Sequence, residues 1–405
     1  MSQDFPEEAA EKLEGYVVRA MTESHVPGLS IALVKEGQVV YAKGFGARNV
    51  EQNLPATADT LYGVGSCTKS FTALAIMQLA EEGKLSIDDP AKKFVPLKIS
   101  GGPEPILIHH LMSHSSGIPC LGTAEVLIRR ATGEEGHWIP LSSSDDLMLH
   151  INGAGSEVAA PPGKRYFYFN GGFAMLGEII ERISGMKYEE YVKNRILKPL
   201  GMNRSVFTRE EFEKDSNVMT AYGKDKEANP RATVHPFHKF IYAPGGLLTS
   251  VKEHTNYLVM NMNGGIYQDN RLVDKASLEA MHRPCIDVPK GFFGPEGYAY
   301  GWRITEDFLG HKLVSHGGST GVSSAYVGFI PDLKIGVALA ANTSPYGSAS
   351  MTMGALALLM GKDPEKELPF MAIEERMKQL VGKYEGYKSL RTIQVVKKGA
   401  MLYLE

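Results

Sequence analysis

The sequence predicts an α+β fold in which a sheet is packed by helices. Three observations carry this. An amphipathic helical stretch over residues 6–23 leads into an apolar hairpin over 29–45. The stretch 61–84 then opens on a turn-like Gly63-Val64-Gly65 and runs on apolar and helical. After Trp302 the chain turns β-like again, in runs that suit antiparallel strands lying beside the first hairpin.

In the first stretch, Ala9, Leu13, Tyr16, Val17, Ala20 and Met21 fall on one side, and Pro27-Gly28 breaks the helix. Residues 29–34 and 39–45 are β-prone, and Lys35-Glu36-Gly37-Gln38 between them reads as a turn. Within 61–84, Phe71, Leu74, Ala75, Met77, Gln78 and Leu79 sit mostly at three- and four-residue spacing, with Gly83 as the stop. Residues 87–96 form a charged, Pro-bounded linker. His110 and His114, four apart, raise a metal site. No third ligand follows at suitable spacing and no His-Glu-x-x-His pattern is present, so they read as structural residues bonding a turn. Residues 141–151, 171–184 and 188–197 read as helices, and 203–240 as a polar, irregular surface excursion able to rim a cleft. A Gly-Pro loop over 242–249 leads into a helix over 251–262. Residues 312–315, 323–330 and 335–341 are strands, and 348–360 is a buried helix too short to cross a membrane.

A chain of 405 residues makes one large domain or two. A composition shift near 362 divides it into a domain over 1–362, a charged linker over 363–378, and short strands over 379–405. Such a strand set is marginal alone, so it packs on the main domain or belongs to something larger. The net charge of -3 without a basic stripe argues against nucleic acid. Cys67, Cys120 and Cys285 are too few and odd in number for a disulfide framework, which suits a reducing compartment. The N-terminal sixteen residues are acidic and lack an apolar core. The expectation is a cytoplasmic protein with no membrane partner.

The chemistry centres on Ser66 and Lys69. Three apart on a helix, their side chains share a face one turn apart. A serine hydroxyl needs a base, and a lysine serves if burial lowers its pKa. The helix start adds free N–H groups and a partial positive charge suited to an oxyanion. Ser184 and Lys187 match the same spacing, but Gly185 reads as a helix stop between them. Cys67 reads as a small core residue. Tyr168 and Asn170 lie in a Pro/Gly loop before a helix. A tyrosine near an ammonium ionises more easily and shuttles a proton, and the asparagine orients the lysine and binds a substrate carbonyl. His316-Gly317-Gly318 ends a strand where a substrate backbone can lie, and the N–H of Ser319 offers a second oxyanion donor. Gly317 to Gly321 also matches the Gly-x-Ser-x-Gly elbow with Ser319 as nucleophile. That elbow needs a following helix, and a hairpin follows here.

Ser66-Cys67-Thr68-Lys69, Tyr168-Phe169-Asn170 and His316-Gly317-Gly318, in this order and at these separations, resemble the serine β-lactamase and penicillin-binding-protein superfamily. The nearer likeness is to its class C-like branch with esterases and D-amino-acid peptidases. Flanking stretches HHLMSHSSGI, YAPGGLLTS and YAYGW resemble it too, over roughly residues 10–360. The C-terminal strands resemble the start of a lipocalin-like β-barrel appended to some archaeal serine peptidases of this branch. The resemblance implies an antiparallel sheet flanked by helices plus an all-helical lobe, with the cleft between. It implies Ser66, Lys69 and Tyr168 as catalytic residues, Asn170, His316, Gly317 and Gly318 as substrate-binding, and the N–H groups of Ser66 and Ser319 as the oxyanion site. No metal or organic cofactor is implied, and a homo-oligomer is open. The substrate would be a small peptide, with D-residues, or an ester. The alternatives are a carboxylesterase or weak β-lactamase of the same fold, and a non-catalytic scaffold or acyl-binding sensor. One departure stands out. His316 occupies the place of the lysine in Lys-Thr-Gly, which argues against efficient penicillin hydrolysis and strict carboxypeptidase action.

Overall fold

The computed structural model describes residues 5–99, 102–133, 141–225, 227, 229–344, 347–399 and 401–405. Part of the N-terminal stretch read for a leader, residues 1–4, thus lies outside the described residues. Helix α1 (Glu7–Ser24) buries Leu13, Tyr16 and Val17 and ends at His25, whose φ of 53° closes the helix in the left-handed region. Strands β1 (Gly28–Lys35) and β2 (Gln38–Asn49) pair through a turn in which Glu36 and Gly37 both have positive φ, as a two-residue hairpin turn demands. The short β3 (Leu54–Pro55) continues the edge. After β4 (Tyr62–Gly63) the chain makes a 3₁₀ turn, Gly65–Cys67, and enters α2 (Thr68–Glu81).

The middle of the chain is mostly helical: α3 (Ile108–Met112), α4 (Thr123–Thr132), α5 (Ser144–Gly153), α6 (Asn170–Ser184), α7 (Tyr188–Val192), α8 (Arg209–Lys214), α9 (Lys239–Gly245), α10 (Val251–Met262) and α11 (Lys275–Met281). Two-stranded ribbons interrupt it: β5 (Ala221–Lys224) with β6 (Pro230–Thr233), β4 with β7 (Leu248–Thr249), and β8 (Ile266–Tyr267) with β9 (Asn270–Arg271). The chain then returns to the sheet with β10 (Ile286–Gly291), β11 (Gly294–Tyr298), β12 (Arg303–Phe308), β13 (His311–Ser319), β14 (Ser324–Ile330) and β15 (Ile335–Ala341), and closes it with α12 (Ser348–Leu359).

These strands make one nine-stranded antiparallel sheet in the order β10-β11-β12-β13-β14-β15-β1-β2-β3, so the late strands join the early hairpin through β15 and β1. Alternation along β1 explains why it reads as continuously apolar. Leu29, Ile31 and Leu33 face a core with α1 and α12, while Ala32 and Val34 face a second core containing α2, α6 and α10. Apart from the β-like turn of the chain after Trp302, no strand was read in 286–308, yet these residues supply three of the nine.

Residues 363–378 are not an extended linker by structure. They form α13 (Pro364–Glu367) and most of α14 (Pro369–Leu380), with prolines at helix starts and Leu368 fully buried in the α1 and α12 core. Asp363 binds Lys12 at 2.6 Å. Beyond them, β16 (Gly382–Glu385), β17 (Thr392–Lys398) and β18 (Met401–Leu404) form an open three-stranded sheet rather than a closed barrel.

Candidate active site

Helix α2 is buried from Thr68 to Leu79, and the segment leading to it is buried as well, except at one residue. Ser66 is the position between Leu61 and Ser70 that retains access to solvent. Lys69, one turn on, has no exposed surface and three short contacts: Ser66 Oγ at 2.8 Å, Asn170 Oδ1 at 2.8 Å and the Pro244 carbonyl at 2.7 Å. The last two partners only accept at these atoms. A neutral lysine therefore spends its two hydrogens on them and turns its lone pair to the Ser66 hydroxyl. Burial pulls the Lys69 pKa down to about 7, against a smaller upward pull from Glu125. Near neutral pH the amine is thus available as a base.

Tyr168 reaches the same point from the loop before α6. The Lys69 ammonium nitrogen lies 4.8 Å from its ring centroid, and its phenol interacts with Ser66. Burial pushes this phenol well above the ordinary tyrosine range, which outweighs the Ser66 contact. The expectation that Tyr168 ionises easily is therefore reversed, because desolvation costs the phenolate more than neighbouring charge returns. Its neutral form is a proton donor. His114 steadies it: Phe167 N–H donates to the His114 carbonyl at 2.8 Å, Phe169 N–H donates to its Nδ1 at 3.0 Å, and the His114 ring lies 4.1 Å from the Tyr168 ring. His110 accepts instead from Leu107 N–H at 3.1 Å. Among the described residues no three His, Cys, Asp or Glu side chains converge as metal ligands.

Strand β12 pairs with β13 as far as Arg303 and Ser315, and residues 316–319 run on toward Ser66. Glycine is required at the meeting point. A Cβ on Gly318 would lie 1.9 Å from the Val64 carbonyl and 2.7 Å from the Ser66 nitrogen. One on Gly65, at φ 52°, would lie 2.4 Å from the Ser319 nitrogen. The backbone nitrogens of Ser66 and Ser319 are thereby drawn to one place. The Ser319 hydroxyl turns aside to Ser344 Oγ at 2.8 Å, and β13 passes into β14 rather than a helix. The thiol of Cys67, driven up to about 12 by burial, donates to the His316 carbonyl at 3.3 Å and is inert.

His316 is buried and neutral. Its Nδ1–H donates to the Gly317 carbonyl at 2.6 Å, and Nε2 accepts from the Tyr298 hydroxyl at 2.8 Å; burial, with Lys69 adding to it, holds the ring pKa down at about 3. It carries no fixed charge. A nearby cation, unmarked in the sequence reading, is Arg303, which is paired with Glu296. Arg303 and His316 line one cavity of about 470 Å³ with Tyr166, Tyr168, Tyr298 and Phe292. Arg303 pairs with Glu296 at 2.8 Å; burial is the largest single effect and pulls its pKa down, but Glu296 together with Tyr166 and Tyr326 outweighs it and holds the group above its ordinary range. Pro244, whose carbonyl holds Lys69, and Glu125, which accepts from Asn170 Nδ2 at 2.7 Å, were also unmarked. Glu125 belongs to no short motif; Pro244 lay inside the Gly-Pro loop over 242–249, a stretch noted for its likeness to the family and not for this carbonyl.

The description "Beta-lactamase" matches residues 13–359. The chain belongs to the β-lactamase family. "Pab87 octamerisation domain" matches residues 364–405. The structure of the octameric penicillin-binding protein homologue from Pyrococcus abyssi is similar at TM-score 0.90 and 49% identity, covering 98% of this chain and 87% of that one. A penicillin-binding protein from Bacillus halodurans shares the fold at TM-score 0.67 and 22% identity, over 85% of this chain and 99% of that one. Among curated relatives, Protein flp of Staphylococcus aureus (strain NCTC 8325 / PS 47) is 27% identical over 342 residues, covering 83% of this chain and 63% of its own length. This chain thus spans less than two thirds of that relative. Penicillin-binding protein 4 of Amycolatopsis lactamdurans is 26% identical over 333 residues, covering 79% of this chain and 82% of its own. The family resemblance and the antiparallel sheet flanked by helices therefore both stand.

Proposed function

We propose that the chain is a serine hydrolase that works through an acyl-enzyme on small peptides containing D-amino acids. The observation that carries the hydrolase reading is the buried Lys69 nitrogen held among Ser66, Asn170 and the Pro244 carbonyl. In this reading Ser66 gives its proton to Lys69 while Oγ forms a bond to the substrate carbonyl carbon. The N–H groups of Ser66 and Ser319 take the oxyanion. Tyr168 hands its proton to the leaving group and recovers one from the Lys69 ammonium, so the phenolate never accumulates. Water then repeats the attack on the ester, its proton passing to the same relay, and Ser66 is released.

Arg303 supports leaving groups that carry a carboxylate. It offers a permanent cation, paired with Glu296, in the cavity beside Tyr168, where the missing Lys-Thr-Gly lysine had argued against such substrates. The D-residue preference is supported by the likeness to the class C-like peptidases. The similarity to the octameric homologue and the octamerisation-domain match support a homo-oligomer. The exposed apolar side chains of the C-terminal unit, Leu404 on β18 with Tyr387 and Leu390 in the turn between β16 and β17, support its placement between copies. The three thiols are unpaired, in keeping with a reducing compartment. Among the described residues no helix is long and apolar enough to cross a membrane.

The test is intact mass after incubation with D- and L-aminoacyl amides, free-acid dipeptides and short p-nitrophenyl esters, wild type beside Ser66→Ala. The expected result is an acyl adduct on wild type alone, turned over fastest with D-peptides. Turnover by Ser66→Ala at the wild-type rate would end the reading of an acyl-enzyme on Ser66. Turnover of esters but of no amide would favour the carboxylesterase.

A further inference from the structure

Asn170 joins two groups of opposite charge. Its Oδ1 accepts from Lys69 Nζ at 2.8 Å, and its Nδ2 donates to Glu125 Oε1 at 2.7 Å. Lysine offers hydrogens to this oxygen and a carboxylate accepts from this nitrogen, so the amide is held one way round. Glu125 stands on α4, which carries none of the motif residues. Its other oxygen, Oε2, is buried with no hydrogen-bond partner among the described residues. A carboxylate left so under-bonded is costly, and Lys69 is the cation whose field it shares. Cys120 Sγ lies 3.6 Å from Oε1. Around Lys69 stand Cys67 on the 3₁₀ turn, His114 after α3, Tyr168 before α6, His316 on β13 and Glu125. Of these groups Glu125 is the carboxylate.

We propose that Glu125 is a positioning residue of this site: it pins the Asn170 amide, which aims the Lys69 nitrogen at Ser66, and it lays down the negative charge that Lys69 faces. The inference rests on the hydrolase reading above. During acylation Ser66 loses a proton and Lys69 gains one, with no net change in charge. A carboxylate one amide away stabilises the ammonium formed at that moment. Glutamine in its place removes the charge, and its amide both donates and accepts, so Asn170 is free to turn over.

The test is the pH profile of p-nitrophenyl acetate hydrolysis, with kcat and KM separated, for wild type, Glu125→Gln and Ser66→Ala. Wild-type kcat/KM should rise through about pH 7, where Lys69 loses its proton. In Glu125→Gln that acid limb should move down by about one pH unit, and kcat should fall about tenfold or more. A limb left in place, whatever the rate, overturns the proposal, because a role in packing alone lowers activity without moving the limb. If Glu125→Gln does not fold, Glu125→Ala beside Glu125→Asp decides, since only the first removes the charge. A limb moved down in Glu125→Ala but kept in Glu125→Asp supports the proposal, and a limb at the same pH in both overturns it. Hydrolysis by Ser66→Ala at the wild-type rate would fail the hydrolase reading and is scored independently of Glu125.

Discussion

Lys69 is a cost to the fold as well as a tool for chemistry. It is wholly buried, and burial brings its pKa from 10.5 to about 7. Between those values the unfolded chain holds a proton that the folded one does not. Stability therefore rises with pH across this window, and the full penalty applies below it. Lys69→Met removes the penalty together with the base. The stability of wild type relative to Lys69→Met should increase by about 2 kcal/mol between pH 7 and pH 9, read from urea unfolding at both pH values. A difference that stays flat would mean the amine is not desolvated as described. Lys69→Met should also lose acylation of Ser66, so the more stable protein is the inactive one.

At the scale of elements, the decisive contact is β13 against the turn that presents Ser66. Two glycines make it possible, and the obstacles around Gly318 are backbone atoms that cannot rotate away. Gly318→Ala should destabilise the fold by about 1–3 kcal/mol and lower kcat roughly a hundredfold, by pushing the Ser319 N–H away from the Ser66 N–H. Gly15→Ala is the control. It lies in α1 with open space where the methyl would go, and should stabilise by about 0.5–1 kcal/mol. Thermal melts beside steady-state kinetics check both. Equal behaviour of the two variants would show that the close approach does not matter. The hairpin, α2 and the last strands were legible because apolar spacing reports a face packed on a core. Strands β10 to β12 were not. Burial along β10 is mostly partial or absent, and Gly, Pro and Glu interrupt the pattern in β10 and β11.

At the scale of the molecule, the C-terminal unit cannot be explained by its own core. Tyr387 and Leu390, in the turn between β16 and β17, are each 80% exposed, and the sheet that this turn joins is open. Aspartate at Leu390 together with serine at Tyr387 should reduce the particle mass measured by light scattering, with ester hydrolysis retained. An unchanged mass would place the contact between copies elsewhere. A truncation for the same purpose belongs after Leu380, because Leu368 is part of the main core and Asp363 anchors Lys12.

By itself the sequence determined the chemistry held in short spacings. Ser66 and Lys69 are one helical turn apart, and the hairpin and α2 follow from periodicity, because these are properties of neighbours along the chain. It also carried enough likeness to indicate the family. Only the tertiary structure decided the charges. That Lys69 is near neutrality, that Tyr168 stays protonated and that His316 is uncharged all follow from burial, which has no local signature. The partners Glu125, Pro244 and Arg303 come from separate elements brought together by folding, and no spacing in one dimension encodes a contact of under 3 Å between them and their partners.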